Sequence, residues 1–140
     1  MSEAENLFGD AHVKRYRETG GEEGHIWRNG SKILLLTTKG RTSGEPRTTP
    51  LIYEADDDKY VIVASKGGAP EHPGWYENLT KTPEVELQVK DDVFPARART
   101  AEGEEREQLW KKANEVWPHY DEYQTKTDRE IPVVVLERSS

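Results

Sequence analysis

Apolar residues along the chain fall mostly into short runs, and their spacing predicts more strands than helices. "SKILLLTT" (residues 31–38) holds four consecutive aliphatics, as a strand buried on both faces requires. "LIYEADDDKYVIVAS" (51–65) is interrupted by three aspartates in the manner of a hairpin. In "VELQVKDDVFPARART" (85–100), Val85, Leu87 and Val89 alternate with Glu86, Gln88 and Lys90, the two-residue period of a strand with one wet face. "IPVVVLER" supplies a last strand.

Helical signals fill the intervals. "HPGWYENLTK" (72–81) places Pro73 for a first turn and Pro83 beyond the end, with Trp75 and Leu79 four apart on one face. "AEGEEREQLWKKANEVW" (101–117) carries an apolar stripe of Leu109, Ala113, Val116 and Trp117. Glu102, Glu104 and Glu105 sit where a helix N-terminus favours negative charge. Near the start, "AHVKRYRETGG" fits a short amphipathic helix ended by Gly20 and Gly21. Hairpins separated by crossing helices suit an antiparallel sheet rolled into a small barrel, an α+β fold, better than a parallel βαβ sheet.

At 140 residues the chain suits one domain, 1–140, with residues 1–10 flexible. A domain of that size buries roughly two-thirds of the surface its unfolded chain exposes. The formal net charge of -7 argues against a general nucleic-acid binder, which needs Lys and Arg to neutralise phosphates. With no cysteine, thiol nucleophiles, thiolate zinc sites and disulfides are excluded. The N-terminus lacks the basic start and apolar centre of a signal peptide, and no apolar run reaches membrane-spanning length, so the expected location is the cytoplasm.

Against that acidic background one segment is basic. Residues 28–49 hold Arg28, Lys32, Lys39, Arg41 and Arg47 with Glu45 as the one acid, and "TTKGRTSGEPRTTP" (37–50) reads as a basic loop around two glycines. Such a loop offers backbone N–H groups and guanidinium forks to a phosphate or carboxylate, and it equally suits a solvated turn in which "SGEP" reverses the chain. It is no Walker loop, since G-x-x-x-x-G-K-[ST] is absent.

A second glycine-containing turn, with Ser65, Lys66, Gly67 and Gly68, follows a strand. It presents either another ligand contact or an ordinary connection. Trp117, Tyr120 and Tyr123, spaced by three, share a face if helical, forming core or a platform for a planar ligand. His12, His25, His72 and His119 lack metal-ligand spacing, and no metal is assigned. There is no nucleophile elbow, zincin motif or carboxylate pair.

Three segments in order, "LLLTTKGRTSGEPRTTPLIY", "VIVASKGGAPEHPGWYENL" and "YDEYQTKTDREIPVVVLE", closely resemble the deazaflavin-dependent nitroreductase family, from about residue 10 to the C-terminus. The resemblance implies a split β-barrel related to the FMN-binding flavin oxidoreductases. It also implies bound coenzyme F-420, an 8-hydroxy-5-deazaflavin whose phosphodiester and γ-linked glutamate tail require a local basic grip.

Carried over by position, Arg41 and Arg47 hold the phosphate and tail, with Lys39, Thr42 and Pro50 in the same set. Ser65, Lys66 and Gly67 line the groove, and Trp75 and Asn78 pack near it. Tyr120 and Tyr123 lie over the ring and substrate, where they, or Ser65, supply a hydrogen bond or a proton. The chain departs from the family at Thr42, where relatives often carry a basic residue, and at Trp117, where a relative has tyrosine.

The implied reaction is hydride transfer to a small-molecule electron acceptor: a quinone, a nitroaromatic or an activated enone. Alternatives that the residues leave open are an FMN- or haem-dependent split barrel, a non-catalytic deazaflavin carrier and a small interaction domain. The resemblance admits a monomer or a homodimer. Quinone use would favour peripheral membrane contact, although residues 1–30 show no amphipathic anchor.

Overall fold

The structure is a computed structural model that describes residues 9–22, 25–26, 32–56, 59–65, 72–117, 119–127 and 130–139. Its elements run α1 (Gly9–Thr19), β1 (Lys32–Lys39), β2 (Pro46–Asp56), β3 (Lys59–Val63), α2 (Gly74–Lys81), β4 (Glu84–Val89), β5 (Asp92–Thr100), α3 (Gly103–Val116), α4 (His119–Thr125) and β6 (Val133–Arg138). The strands close into a barrel in the order β1-β2-β3-β6-β5-β4, with every neighbouring pair antiparallel. The expected α+β barrel is therefore observed. Of the segment expected to be flexible, 1–10, all but Gly9 and Asp10 lies outside the described residues; those two begin α1.

Side-chain alternation sorts the strands into an inner and an outer layer. Leu34, Leu36, Ile62, Leu87, Phe94, Ala96, Val134 and Leu136 fill the barrel, and α2 plugs one end with Trp75 and Leu79. The neighbouring positions Ile33 and Leu35 point outward and are covered by Val13 and Tyr16 of α1. This explains the unbroken aliphatic run of β1, because a strand between core and helix has no wet face. On the other side α3 lays Leu109 over Val61, Val133 and Val135. Truncating a fully buried leucine such as Leu36 to alanine would cost about 2–5 kcal/mol.

At the barrel end opposite α2, Tyr16 donates its hydroxyl to the Ile33 carbonyl (3.0 Å) and accepts the Lys90 N–H (2.6 Å). Gly21, at φ +83°, lies so close that an added Cβ would stand 2.4 Å from the Lys90 Cα. His25 and Tyr53 share a buried hydrogen bond of 2.9 Å nearby.

Two expectations shift. The basic segment 37–50 is not one loop: β1 runs to Lys39, β2 starts at Pro46, and only residues 40–45 turn. Proline reads as a breaker, yet Pro46 and Pro50 sit where β2 pairs with β1 alone, because the β2–β3 register covers Glu54 to Asp56. A strand edge without a partner asks for no N–H donor. Trp117, expected on one helical face with Tyr120 and Tyr123, instead ends α3 as its C-cap, while the tyrosines lie on α4. All three still meet in one cluster.

Candidate active site

The turn between β1 and β2 is closed by Gly40 donating to the Glu45 carbonyl and Gly44 to the Gly40 carbonyl, each at 2.8 Å. Gly44 adopts φ +73°, which a residue with a Cβ rarely tolerates. Arg41 docks this turn to α2 while its side chain stays 44% exposed. Its backbone N–H and its Nη1 both reach Asn78 Oδ1, at 3.2 and 2.9 Å. Nη1 also donates to the Gly74 carbonyl at 3.3 Å, and Nη2 pairs with Glu77 at 3.2 Å. Lys81 returns a bond of 2.8 Å to the Arg41 carbonyl. Asn78, 5% exposed, donates its amide to Thr38 Oγ1 at 3.1 Å. Asn78 thus ties β1, the turn and α2 together.

The other cations are placed differently. Lys39 and Arg47 are exposed at the ends of β1 and β2 and make no hydrogen bond or ion pair with a described residue. Thr42 is exposed in the turn between them. Trp75 is 9% exposed and packs into the barrel core, so its ring serves the α2 plug.

A second group gathers on the outer wall. Tyr120, 5% exposed, clusters with Val63, Ala113 and Ile131, and Trp110, Trp117 and Tyr123 pack around it. The Tyr120 and Tyr123 rings meet edge to face, with centroids 6.2 Å apart and planes at 71°. The Trp117 indole N–H donates to the Tyr123 hydroxyl at 3.4 Å. Burial, reinforced by Tyr123, pushes the Tyr120 hydroxyl far above the ordinary phenol range, so it stays a neutral donor at any working pH.

Ile52, Glu54, Val63, Ala113 and Tyr120 meet around a gap beside β2 that is too narrow to admit a water molecule. Ser65 is buried two residues beyond Val63, directly after Ala64, whose amide still donates to the Pro132 carbonyl at 2.9 Å. Pro50 stands two positions before Ile52 on the same strand.

The residues expected at the site thus divide. Arg47, Pro50, Ser65, Tyr120 and Tyr123 belong to the β2 and β3 wall and its covering helix; Arg41, Trp75 and Asn78 belong to the α2 plug and the docked turn. Lys66 and Gly67 lie outside the described residues.

Other contributors carry no local signature in the sequence. Asp121 accepts the Trp110 indole N–H at 2.6 Å and the Asn114 amide at 2.7 Å, and its own N–H donates to Asn114 Oδ1 at 3.1 Å. These bonds lock α4, and with it the tyrosines, onto α3. Lys14 and Arg17 of α1 line a groove that also touches residues 46–49 at the start of β2.

Residues 10–138 match the family described as F420H(2)-dependent quinone reductase. The chain is 44% identical over 130 residues to an F420H(2)-dependent quinone reductase of Mycobacterium tuberculosis, spanning 91% of this chain and 87% of that protein. A solved structure described as an F420-H2 dependent reductase shares 53% identity, with a TM-score of 0.70 over 75% of this chain and 93% of the other. A further structure, described as a domain-swapped dimer, shares 53% identity at TM-score 0.70, covering 75% of this chain and 79% of its own.

Proposed function

The chain belongs to the F420H(2)-dependent quinone reductase family, and from that premise we propose that the outer wall of β2 is where it reduces an electron-poor acceptor. The protein is an oxidoreductase that uses reduced coenzyme F-420 on a small-molecule acceptor. A quinone is the first choice, with nitroaromatics and activated enones as related acceptors.

One observation carries the placement: Lys39 and Arg47 have no partner among the described residues, and the unpaired edge of β2 runs from Arg47 toward Ile52 and Glu54, which lie beside Tyr120. This donor set fits the coenzyme. Two cations without a partner among the described residues suit a phosphodiester and carboxylates, and the side chains of Ile52, Val63, Ala113 and Tyr120 offer an apolar wall over which, rather than inside which, a planar ring would lie. Lys39 and Arg47 would hold the anionic part, with Arg41 supporting them by fixing the turn. Ser65, Pro50 and the α4 tyrosines would border the ring and acceptor.

Bound there, the reduced deazaflavin supplies the hydride. The protein's own work is orientation, exclusion of water and stabilisation of charge. Val63, Ala113, Ile131 and the surrounding indoles keep this wall dry, which strengthens any hydrogen bond made against it. Negative charge grows on the acceptor oxygen as it is reduced, and a neutral tyrosine hydroxyl donates to it. A preorganised donor of this kind is worth about 3–4 kcal/mol in a transition state. Tyr123, half-buried beside Lys126 with the ammonium 5.8 Å from its ring centroid, is better placed than Tyr120 to exchange a proton with solvent.

For assembly and location we favour a homodimer in the cytoplasm. The relative described as a domain-swapped dimer supports the first, and a cysteine-free chain suits a reducing compartment.

The test is to offer the purified protein oxidised coenzyme F-420 and FMN separately, measure which is retained, and then follow oxidation of the reduced deazaflavin with a panel of quinones and nitroaromatics. Selective deazaflavin retention with quinone-dependent oxidation is expected. Equal FMN retention with FMN-supported turnover would overturn the cofactor, and tight deazaflavin binding without turnover would make the protein a carrier.

A further inference from the structure

Tyr120 and Tyr123 ride on α4, a helix of seven residues. A helix that short does not hold itself, so where the tyrosines stand is decided by what grips α4 from outside. Asp121 supplies one grip, on Trp110 and Asn114. The other runs through a single backbone residue, Ile131.

Ile131 lies just ahead of β6 and is fully buried. The β3–β6 register stops at Val133, and the intervening Pro132 accepts the Ala64 N–H but has no N–H of its own to give. The peptide groups of Ile131 are thus buried outside the sheet ladder, where an unmet N–H or C=O is costly. Two side chains meet them. Gln124 Oε1 accepts the Ile131 N–H at 3.0 Å, and Arg106 Nη2 donates to the Ile131 carbonyl at 2.7 Å. One residue is therefore held by α4 on one side and α3 on the other, and its side chain packs in the cluster of Tyr120.

Arg106 is placed for this contact against the local preference. It lies near the start of α3, where the helix dipole favours Glu104 and Glu105 and disfavours a cation. Its side chain is only 17% exposed, and Nε stands 2.9 Å from a Glu130 carboxylate oxygen, an ion pair without the alignment of a hydrogen bond. Its Cζ lies 5.1 Å from the centroid of the Trp110 ring, one helical turn on. Trp110 in turn donates to Asp121 at 2.6 Å, so the guanidinium braces both grips on α4 at once.

Gln124 acts on the rotation of α4. Tyr120 and Gln124 are four apart and share a face of the helix, while Tyr123 is turned about 100° from Gln124. Drawing Gln124 onto Ile131 seats Tyr120 in the wall and fixes the direction in which Tyr123 leaves the helix. Without that bond α4 is free to roll.

We propose that Arg106 and Gln124 are positioning residues for the reduction: by holding the two backbone groups of Ile131, they set where the α4 tyrosines stand against the acceptor. The assignment rests on the reading given above that these tyrosines serve the acceptor. Neither residue touches the reacting atoms, and both act through α4.

The test follows oxidation of reduced deazaflavin by a quinone, beside fluorescence titration of the oxidised coenzyme, at a temperature where circular dichroism shows each variant folded. Gln124→Met removes the acceptor oxygen at similar length, and Gln124→Glu keeps one. Gln124→Met should lower kcat/KM for the quinone by about five- to twentyfold, as a small displacement of a reacting geometry allows, and Gln124→Glu should recover most of it. Arg106→Met should do the same, with Arg106→Lys in between, because the charge stays and the planar stack is lost. Coenzyme affinity should stay within about threefold of the parent, since the loss falls on the transition state rather than on binding.

A second background separates positioning from stability. In the Tyr120→Phe/Tyr123→Phe protein, adding Gln124→Met should cost at most about twofold, because a residue that acts through a group loses its effect once the group is gone. Equal losses in the two backgrounds overturn the positioning role while sparing the tyrosines. Parental turnover in the Tyr120→Phe/Tyr123→Phe protein overturns both. Should Arg106→Met fail to fold, the Gln124 series decides alone, and parental kcat/KM in Gln124→Met overturns the proposal.

Discussion

Asn78 Oδ1 accepts two hydrogen bonds from Arg41, one from the backbone N–H at 3.2 Å and one from Nη1 at 2.9 Å, so the most prominent cation of the basic turn is a fastener. Asn78→Ala would leave the Thr38 hydroxyl and the Arg41 N–H without this partner. A loss of about 2–3 kcal/mol is expected in urea unfolding. Arg41→Ala removes part-exposed contacts and should cost about 1 kcal/mol or less. If both variants keep parental stability and lose only cofactor affinity, Arg41 serves the ligand rather than the turn.

Tyr120→Phe and Tyr123→Phe keep the rings that pack and remove the hydroxyls. Turnover of reduced deazaflavin with quinones should drop at least about tenfold for the tyrosine that faces the acceptor, within the range seen for loss of one preorganised donor. Midpoints of thermal unfolding should move by only a few degrees. Parental turnover in both variants across a panel of acceptors would assign the hydroxyls to packing.

Asp121 is the one carboxylate that receives both Trp110 and Asn114, and α4 has only seven residues with which to hold itself in place. Asp121→Ala should therefore loosen α4, lower stability by about 1–3 kcal/mol and shift tryptophan fluorescence as the Trp110 indole loses its acceptor. Asp121→Asn should recover part of the loss, since its carbonyl oxygen accepts one of the two donors. Asp121→Ala with parental stability and emission would remove Asp121 from this role.

Burial is the main cause that lowers the His25 pKa below its usual 6.5, with Lys90 and Lys32 adding to it. A histidine depressed in this way is neutral in the fold and binds its proton more readily once unfolded. Its contribution to stability is full above pH 6.5 and is lost as pH falls through the lower folded value. Its partner Tyr53 is pushed up to about 12, so that hydroxyl does not titrate in the same window. Urea midpoints measured downward from about pH 7.5 should decline more steeply in the parent than in His25→Gln. Identical slopes would show that His25 is not the group responsible.

The sequence by itself determined what is local. The alternation of Val85, Leu87 and Val89 specified a strand because side chains in a strand change face at every residue, and β4 follows that pattern. The aliphatic run of β1 likewise announced two covered faces. Gly20 and Gly21, both at positive φ, marked the end of α1 because few other residues adopt that backbone cheaply. Three ordered motifs also made the family and its cofactor legible before any coordinates.

What the sequence left open depended on partners far along the chain. Arg41 and Arg47 look alike in a basic stretch, but Arg41 meets Asn78 across 37 residues while Arg47 meets no described partner. The prolines at 46 and 50 looked like loop residues until the early exit of β3 left their edge of β2 open. Strand propensity and helix signals act over a few neighbouring residues, whereas the commitment of a charge depends on which acceptors the closed barrel brings within about 3 Å of it.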